Sequence, residues 1–218
     1  MEAHAGLELK GQHLLLLPDR AVFWREARML IVADLHLGKA QFFRERGVPV
    51  PVGTTAADLD RLSALLDRYH PDRLLFLGDL VHGRTAQTGD LTRRIERWRR
   101  RHSAIECLLV SGNHDRRAGA PPHPFRFDRV SFDLVRPPFL FTHQPKTGLN
   151  QYSIAGHIHP AVTLRGKGRF KETLPCFCFG RRAALLPAFG GFTGTQVIRP
   201  SAEDRVFVAA GDAVVKVQ

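Results

Sequence analysis

Residues 29–38 read MLIVADLHLG. Five apolar residues, Met29–Ala33, run without alternation, the pattern of a strand covered on both faces, and stop at Asp34-Leu35-His36. The construction returns twice. Residues 74–79, LLFLGD, end in Gly78-Asp79, and residues 105–115, IECLLVSGNHD, end in Ser111-Gly112-Asn113-His114-Asp115. Two amphipathic segments separate the runs. In the first, Thr55 reads as the N-cap with Asp58 three residues on, and Leu59, Leu62, Leu66 and Tyr69 form one stripe that stops before Pro71. The second covers about residues 90–102, with Leu91, Ile95 and Trp98 inward. Upstream, residues 7–17 and 21–24, split by Pro18-Asp19, read as a hairpin. A βαβαβ order puts the carboxyl ends of its strands on one edge, where open α/β sheets bind ligands.

After a Pro-rich turn at residues 121–124 the signals turn to short strands: 139–142, 152–155, 161–165 (turning at Gly166-Lys167-Gly168) and later runs to Val217. Two of these also end in metal-type residues, at Thr142-His143 and at Gly156-His157-Ile158-His159. The chain therefore reads as α/β, with a second half that supplies another sheet. At 218 residues, a single domain over 1–218 is the expectation. Hydrophobic residues at 44% and charged residues at 24% exclude disordered, collagen-like and coiled-coil classes. The apolar runs are far shorter than the ~18 residues of a membrane span, and the first residues lack the basic-then-apolar pattern of a secretory signal. Lys plus Arg exceeds Asp plus Glu, 32 against 21, a net +11 that favours polyanionic partners and otherwise serves solubility. Cys107, Cys176 and Cys178 form no C-x-x-C pair; they read as buried bystanders, the last two on one side of a strand, and fit a reducing cytoplasm.

Four imidazoles, two carboxylates and an amide oxygen at the strand exits are too many donors for one tetrahedral zinc. They suit two divalent ions of the manganese, iron or zinc type. Asp-x-His works where a chain leaving a strand leans both side chains toward one metal. Gly-His-x-His places two histidines on one side of an extended segment, and Gly78, Gly112 and Gly156 permit close backbone approach.

The series Asp34-x-His36, Gly78-Asp79, Gly112-Asn113-His114-Asp115, His143 and Gly156-His157-x-His159 resembles the calcineurin-like metallophosphoesterase superfamily, with every block in that superfamily's order. A specified tetrapeptide such as Gly-Asn-His-Asp occurs by chance in about one chain per thousand of this length. Residues 33–39, Phe43-Arg44, the Pro160 that follows His159, Leu174-Pro175-Cys176-Phe177 and Leu186-Pro187-Ala188-Phe189-Gly190 resemble, more narrowly, the bacterial ligase-associated DNA damage response endonuclease family (PdeM).

The resemblance implies a two-sheet β-sandwich flanked by helices, αββα. It implies that Asp34, His36, Asp79 and His159 hold one metal and that Asp79, Asn113, His143 and His157 hold a second, with Asp79 bridging. It makes His114 a catalytic group facing the substrate, with Asp115 orienting its imidazole. His82 stands where the superfamily often has Asp in Gly-Asp-x-x-Asp, and it joins Arg116 and Arg117 as candidate substrate contacts. Arg126 and Arg129 are further candidates for the rim, and the arginines of residues 93–101 read first as a solvated helix face. His4, His13, His70, His102 and His123 are left outside the site. The function implied is a phosphodiesterase or nuclease with two divalent ions, manganese first, acting on DNA in repair, with a ligase or helicase as associate and no membrane. A nucleotide or nucleotide-lipid pyrophosphatase shares the metal blocks, but no apolar lid insertion is visible. A non-catalytic scaffold is disfavoured by the complete donor set.

Overall fold

A computed structural model describes residues 4–83, 89–119, 123–146, 150–166, 168 and 171–218. Strands β1 (Ala5–Leu9), β2 (Gln12–Leu17) and β3 (Ala21–Trp24) form an antiparallel meander that leads into β4 (Met29–Ala33). Residues 7–17 are thus two strands, not one. Lys10 and Gly11 make the turn, both with positive φ (53° and 72°), and only the glycine advertises it in sequence.

Next come α1 (Lys39–Arg44), α2 (Thr54–Tyr69), β5 (Arg73–Leu77), α3 (Gly89–Arg101), β6 (Glu106–Val110) and α4 (Asn113–Ala118). The expected long helices are present. The polar residues read as the start of the first one do other work, however. Helix α2 begins behind Gly53 with no side-chain cap. Thr55 Oγ1 accepts a bond from Gly38 N at 3.2 Å, while the buried Asp58 carboxylate accepts from Gly191 N at 2.9 and 3.1 Å and pairs with Arg61. Both side chains fasten the helix to loops at the ligand edge of the molecule. In α3 five of the six arginines between 93 and 101 are exposed, as a solvated face requires, and Arg99 is the exception. Arg93 and Arg94 meet Asp90, Arg101 meets Asp67, and Arg99 is buried, donating to Phe125 O in a 3-10 turn at His123–Phe125. Of the Pro-rich turn expected around residues 121–124, residues 121 and 122 lie outside the described residues.

The remaining strands are β7 (Arg129–Ser131), β8 (Asp133–Arg136), β9 (Phe139–Thr142), β10 (Tyr152–Ala155), β11 (Pro160–Arg165), β12 (Lys171–Phe179), β13 (Ala183–Leu185), β14 (Gln196–Val197), β15 (Arg205–Ala210) and β16 (Ala213–Lys216). Lys167, in the turn expected after β11, lies outside the described residues. The first sheet runs β1 to β7 in order, with β4 to β7 parallel. The second runs β14-β11-β12-β13-β10-β9-β8, with β15 on β12 and β16 on β15.

Strict alternation in β4 explains its unbroken apolar run. Leu30 and Val32 face outward to Leu59, Leu62 and Leu66 of α2 and to Leu91, Ile95 and Trp98 of α3. Met29, Ile31 and Ala33 face the second sheet's Phe139, Phe141, Phe177 and Phe179. Burying each such side chain contributes ~1.5–3 kcal/mol, so a strand apolar on both faces is strongly fixed between the layers. The expected two-sheet sandwich forms, with both long helices against the first sheet. The second sheet's outer face carries a smaller cluster of Val162, Cys176, Cys178, Val206 and Val208. Cys176 and Cys178 do share a side of their strand, and burial pushes their thiols up to about 12 and about 11. All three cysteines are free and buried. Among the described residues no helix is long and apolar enough to cross a membrane.

Candidate metal centre

Register brings the strand exits together. Ala33 pairs with Leu77 and Leu77 with Val110, so Asp34, Gly78-Asp79 and Gly112-Asn113 leave the first sheet side by side. In the second sheet Thr142 pairs with Ala155, which brings His143 beside Gly156-His157. The two sheets are joined at this edge by a bridge between Ala33 and Ala188 and by Phe189 N donating to Ala33 O at 2.7 Å.

Among the described residues three groups could hold a metal ion: one of His36, His82 and His114, and two made of the expected ligands. Of these two, Asp34, His36 and His159 form one, and Asp79, His143 and His157 the other; in each, one potential ligand atom per residue lies within 4.8 Å of the others. Asp79 Oδ2 stands between the groups, 3.8 Å from His36 Nε2 and 3.5 Å from His143 Nε2. Asp34 spans them from the other side, with Oδ2 3.6 Å from His159 Nε2 and Oδ1 3.6 Å from His143 Nδ1. Asn113 Oδ1 joins at 2.9 Å from His143 Nε2, and His157 Nδ1 approaches the same nitrogen at 3.0 Å. All seven residues expected as ligands are therefore neighbours.

The backbone that holds them was not legible in sequence. Asp34, His36, Asp79, His157 and His159 all have positive φ, between 42° and 68°. Each such L-residue costs roughly 1–2 kcal/mol, and strain of this kind gathers at functional sites. Hydrogen bonds within the centre hold the conformation: His36 N donates to Asp79 O, His157 N to Asp34 Oδ2 and His114 N to Asp79 Oδ1, each at 2.8 Å. Residues 157–159 are consequently not an extended segment with both histidines on one side. His157 turns to His143 and His159 to Asp34, because the left-handed conformation at both residues separates their directions.

The expectation of close approach at glycine holds at three positions. A Cβ at Gly78 would overlap the His143 ring, one at Gly112 would overlap Asp79, and one at Gly156 would lie 2.5 Å from Asp34 Oδ2. Gly78 also has φ +81°.

Burial dominates the electrostatics. It holds the His36 imidazole down at about 2 and His143 at about 4. It pushes the Asp79 carboxyl up to about 7, against the His114 N–H bond and with Asp34's charge adding to the shift. His159 is opposed by burial yet raised by Asp34. Asp34 Oδ1, His36 Nε2, His143 Nδ1 and His159 Nε2 are buried without a hydrogen-bond partner. Unsatisfied buried groups cost about 1–3 kcal/mol each. A divalent cation satisfies these lone pairs together and reverses the penalty on the carboxylates, so the donor set fits metal.

Around this set, His82 and His114 stack with centroids 4.7 Å apart, and His82 Nδ1 lies 3.5 Å from His36 Nδ1. His82 thus touches His36, one of the residues expected as ligands. Asp115 does not orient the His114 imidazole. Its oxygens accept from Gly112 N (2.9 Å) and Val81 N (3.1 Å), so it closes the start of α4 and fixes the loop after Asp79. Arg116 and Arg117 are exposed on α4, with the Arg116 guanidinium 6.0 Å from the Phe132 ring centroid. Arg126 and Arg129 are exposed as well. Of the histidines left aside, His13 pairs with Glu26 at 2.6 Å and His102 with Ser63 at 3.0 Å. Residues 190–194 received no site role from the sequence reading. Gly190 N donates to Asp34 O and Gly194 O accepts from His159 Nδ1, and the small-residue run Gly190-Gly191 was the available signal.

Comparison with known proteins agrees with this architecture. Residues 27–175, well over half of the chain, match the Calcineurin-like phosphoesterase family. The crystal structure of the Pseudomonas putida nuclease MPE superposes with a TM-score of 0.86 at 39% identity, covering 98% of this chain and 100% of that one. Yfce, a phosphoesterase from E. coli, gives a TM-score of 0.43 at 11% identity over 87% of this chain and 97% of its own. No curated protein matches the sequence. With the family match over residues 27–175 and the likeness to the nuclease MPE beside its strand exits and donor groups, the chain belongs to the calcineurin-like phosphoesterase family and is a metal-dependent phosphoesterase.

Proposed function

We propose that the protein is a two-metal phosphodiesterase that cuts phosphodiester bonds in DNA. The observation that carries this is the place of Asp79 Oδ2 between His36 Nε2 and His143 Nε2, which lets one carboxylate serve two ions. In this reading Asp34, His36 and His159 would hold the first ion and Asn113, His143 and His157 the second, with Asp79 available to both. Imidazole, carboxylate and amide donors together suit manganese, with iron and zinc as alternatives. Paired divalent ions supply Lewis-acid activation of water and of the phosphate oxygens. The chain's own groups do the rest. His114, partly exposed beside His36, donates its ring N–H to the leaving oxygen, and His82 holds that ring by stacking. Arg116 and Arg117 bind flanking phosphates, with guanidinium forks suited to those oxygens. Nucleic acid as substrate is supported by the 39% identity to a nuclease over 98% of this chain, and DNA in particular by the narrower family resemblance. A repair role, a cytoplasmic location and a ligase or helicase associate rest on the narrower family resemblance.

The test compares the manganese-loaded protein on bis-p-nitrophenyl phosphate, the p-nitrophenyl monoester, dinucleoside pyrophosphates and single-stranded DNA. Diester turnover above monoester turnover, with DNA cleaved, is expected. Monoester preference, or pyrophosphate hydrolysis without DNA cleavage, would overturn the proposal.

A further inference from the structure

Beside the metal centre a cleft of about 350 Å³ opens between α1 and the loop after β13, lined by Lys39, Phe43, Gly191, Phe192, Thr193 and Gly194. That is within the ~300–1,000 Å³ range of small-molecule sites. Its walls are two phenylalanines that meet edge to face, 6.1 Å apart at 76°, and both remain partly exposed. Phe43 also lies parallel to His82 at 6.1 Å and 25°, and His82 to His114, so a row of rings leads from the cleft to the ligand residues. The cleft is built into the centre. Its Gly194 carbonyl takes the His159 Nδ1 bond at 3.0 Å, and neighbouring Gly190 N donates to Asp34 O at 3.3 Å. Lys39 is the cation of this lining; burial lowers its pKa, and the charges of Asp79 and Asp34 act in the opposite direction.

Rings for a flat group and an ammonium for an anion, next to a phosphate-cutting centre, match a nucleotide unit. We propose that this cleft receives the nucleobase adjoining the scissile phosphate, stacked on Phe192 with Phe43 against its edge, and with Lys39 on the phosphate. The inference rests on the phosphodiesterase reading of the metal centre and names its substrate more closely. Stacking is sequence-tolerant because every base has a π-face. The Thr193 hydroxyl donates to Gly190 O, which leaves rings and backbone to meet the base. A base can enter only when it is free of its duplex neighbours, so single strands are the fitting form.

The experiment measures cleavage and binding of a single-stranded oligonucleotide and of the same strand with abasic residues throughout. The proteins are the manganese-loaded native chain, Phe192→Ala and Phe192→Tyr. The native chain should prefer the base-bearing strand. Phe192→Ala should lose about ten-fold in affinity for that strand, with KM raised to match, far more than for the abasic one, and Phe192→Tyr should restore the difference. Equal losses on both strands, or a native chain indifferent to bases, would overturn the proposal. Should Phe192→Ala lose its circular-dichroism signal, the native chain's discrimination between the strands decides alone. Native cleavage of both strands with equal efficiency contradicts the cleft only; diester hydrolysis with neither strand cut contradicts the DNA reading itself.

Discussion

Asp79→Asn is expected to lose diester turnover on the order of 10³-fold, the scale of removing a principal electrostatic element from such a site. The amide keeps the side chain's shape and can still accept from His114 N, as Asp79 Oδ1 does at 2.8 Å. It removes the negative charge that Asp79 Oδ2 presents to both ligand groups, and it can turn N–H donors toward His36 and His143. Folding should therefore survive while function fails, which circular dichroism and steady-state hydrolysis of bis-p-nitrophenyl phosphate together will show. Equal turnover by variant and native chain would remove Asp79 from the mechanism.

The second large effect concerns a residue with no functional group. Gly78→Ala meets two obstacles at once. Its φ of +81° is unfavourable to an L side chain, and its new Cβ would overlap the His143 imidazole. The backbone strain costs about 1–3 kcal/mol, and a ligand displaced by about 1 Å costs on the order of 10²-fold in rate. A lower thermal midpoint with and without metal, together with that loss of turnover, is the expected pattern. The fall without metal separates this variant from simple loss of a ligand, because the overlap is with a side chain and needs no ion. An unchanged midpoint and rate would show that the ring can move aside freely.

How far the sequence carried this account depends on what kind of contact is asked about. The runs 29–33, 74–77 and 105–110 gave their strands and exits because burial on both faces leaves an unbroken apolar pattern. The metal-type residues were legible because Asp, His and Asn stand at the same relative place in each repeat. Pattern was silent on long-range choices by polar groups. Thr55 and Asp58 have the spacing of a helix cap, yet they bond to Gly38 and Gly191, which only the tertiary fold brings near. Asp115 sits beside His114 in sequence, yet two backbone N–H groups claim its oxygens. Helices α1 and α4, six residues each, are too short for periodicity to declare. The left-handed backbone at Asp34, His36, Asp79, His157 and His159 contradicts local preference, so the centre's own hydrogen bonds must impose it. Phe192 and Phe43 come from distant parts of the chain, and neither announces the other.

The most direct test of the central claim is metal content. The native chain is loaded with manganese, freed of excess ion by gel filtration and analysed for metal per polypeptide. Two ions per chain are predicted, because Asp79 lies between two complete donor groups. One ion or none, in protein that retains its fold, would contradict a two-metal centre.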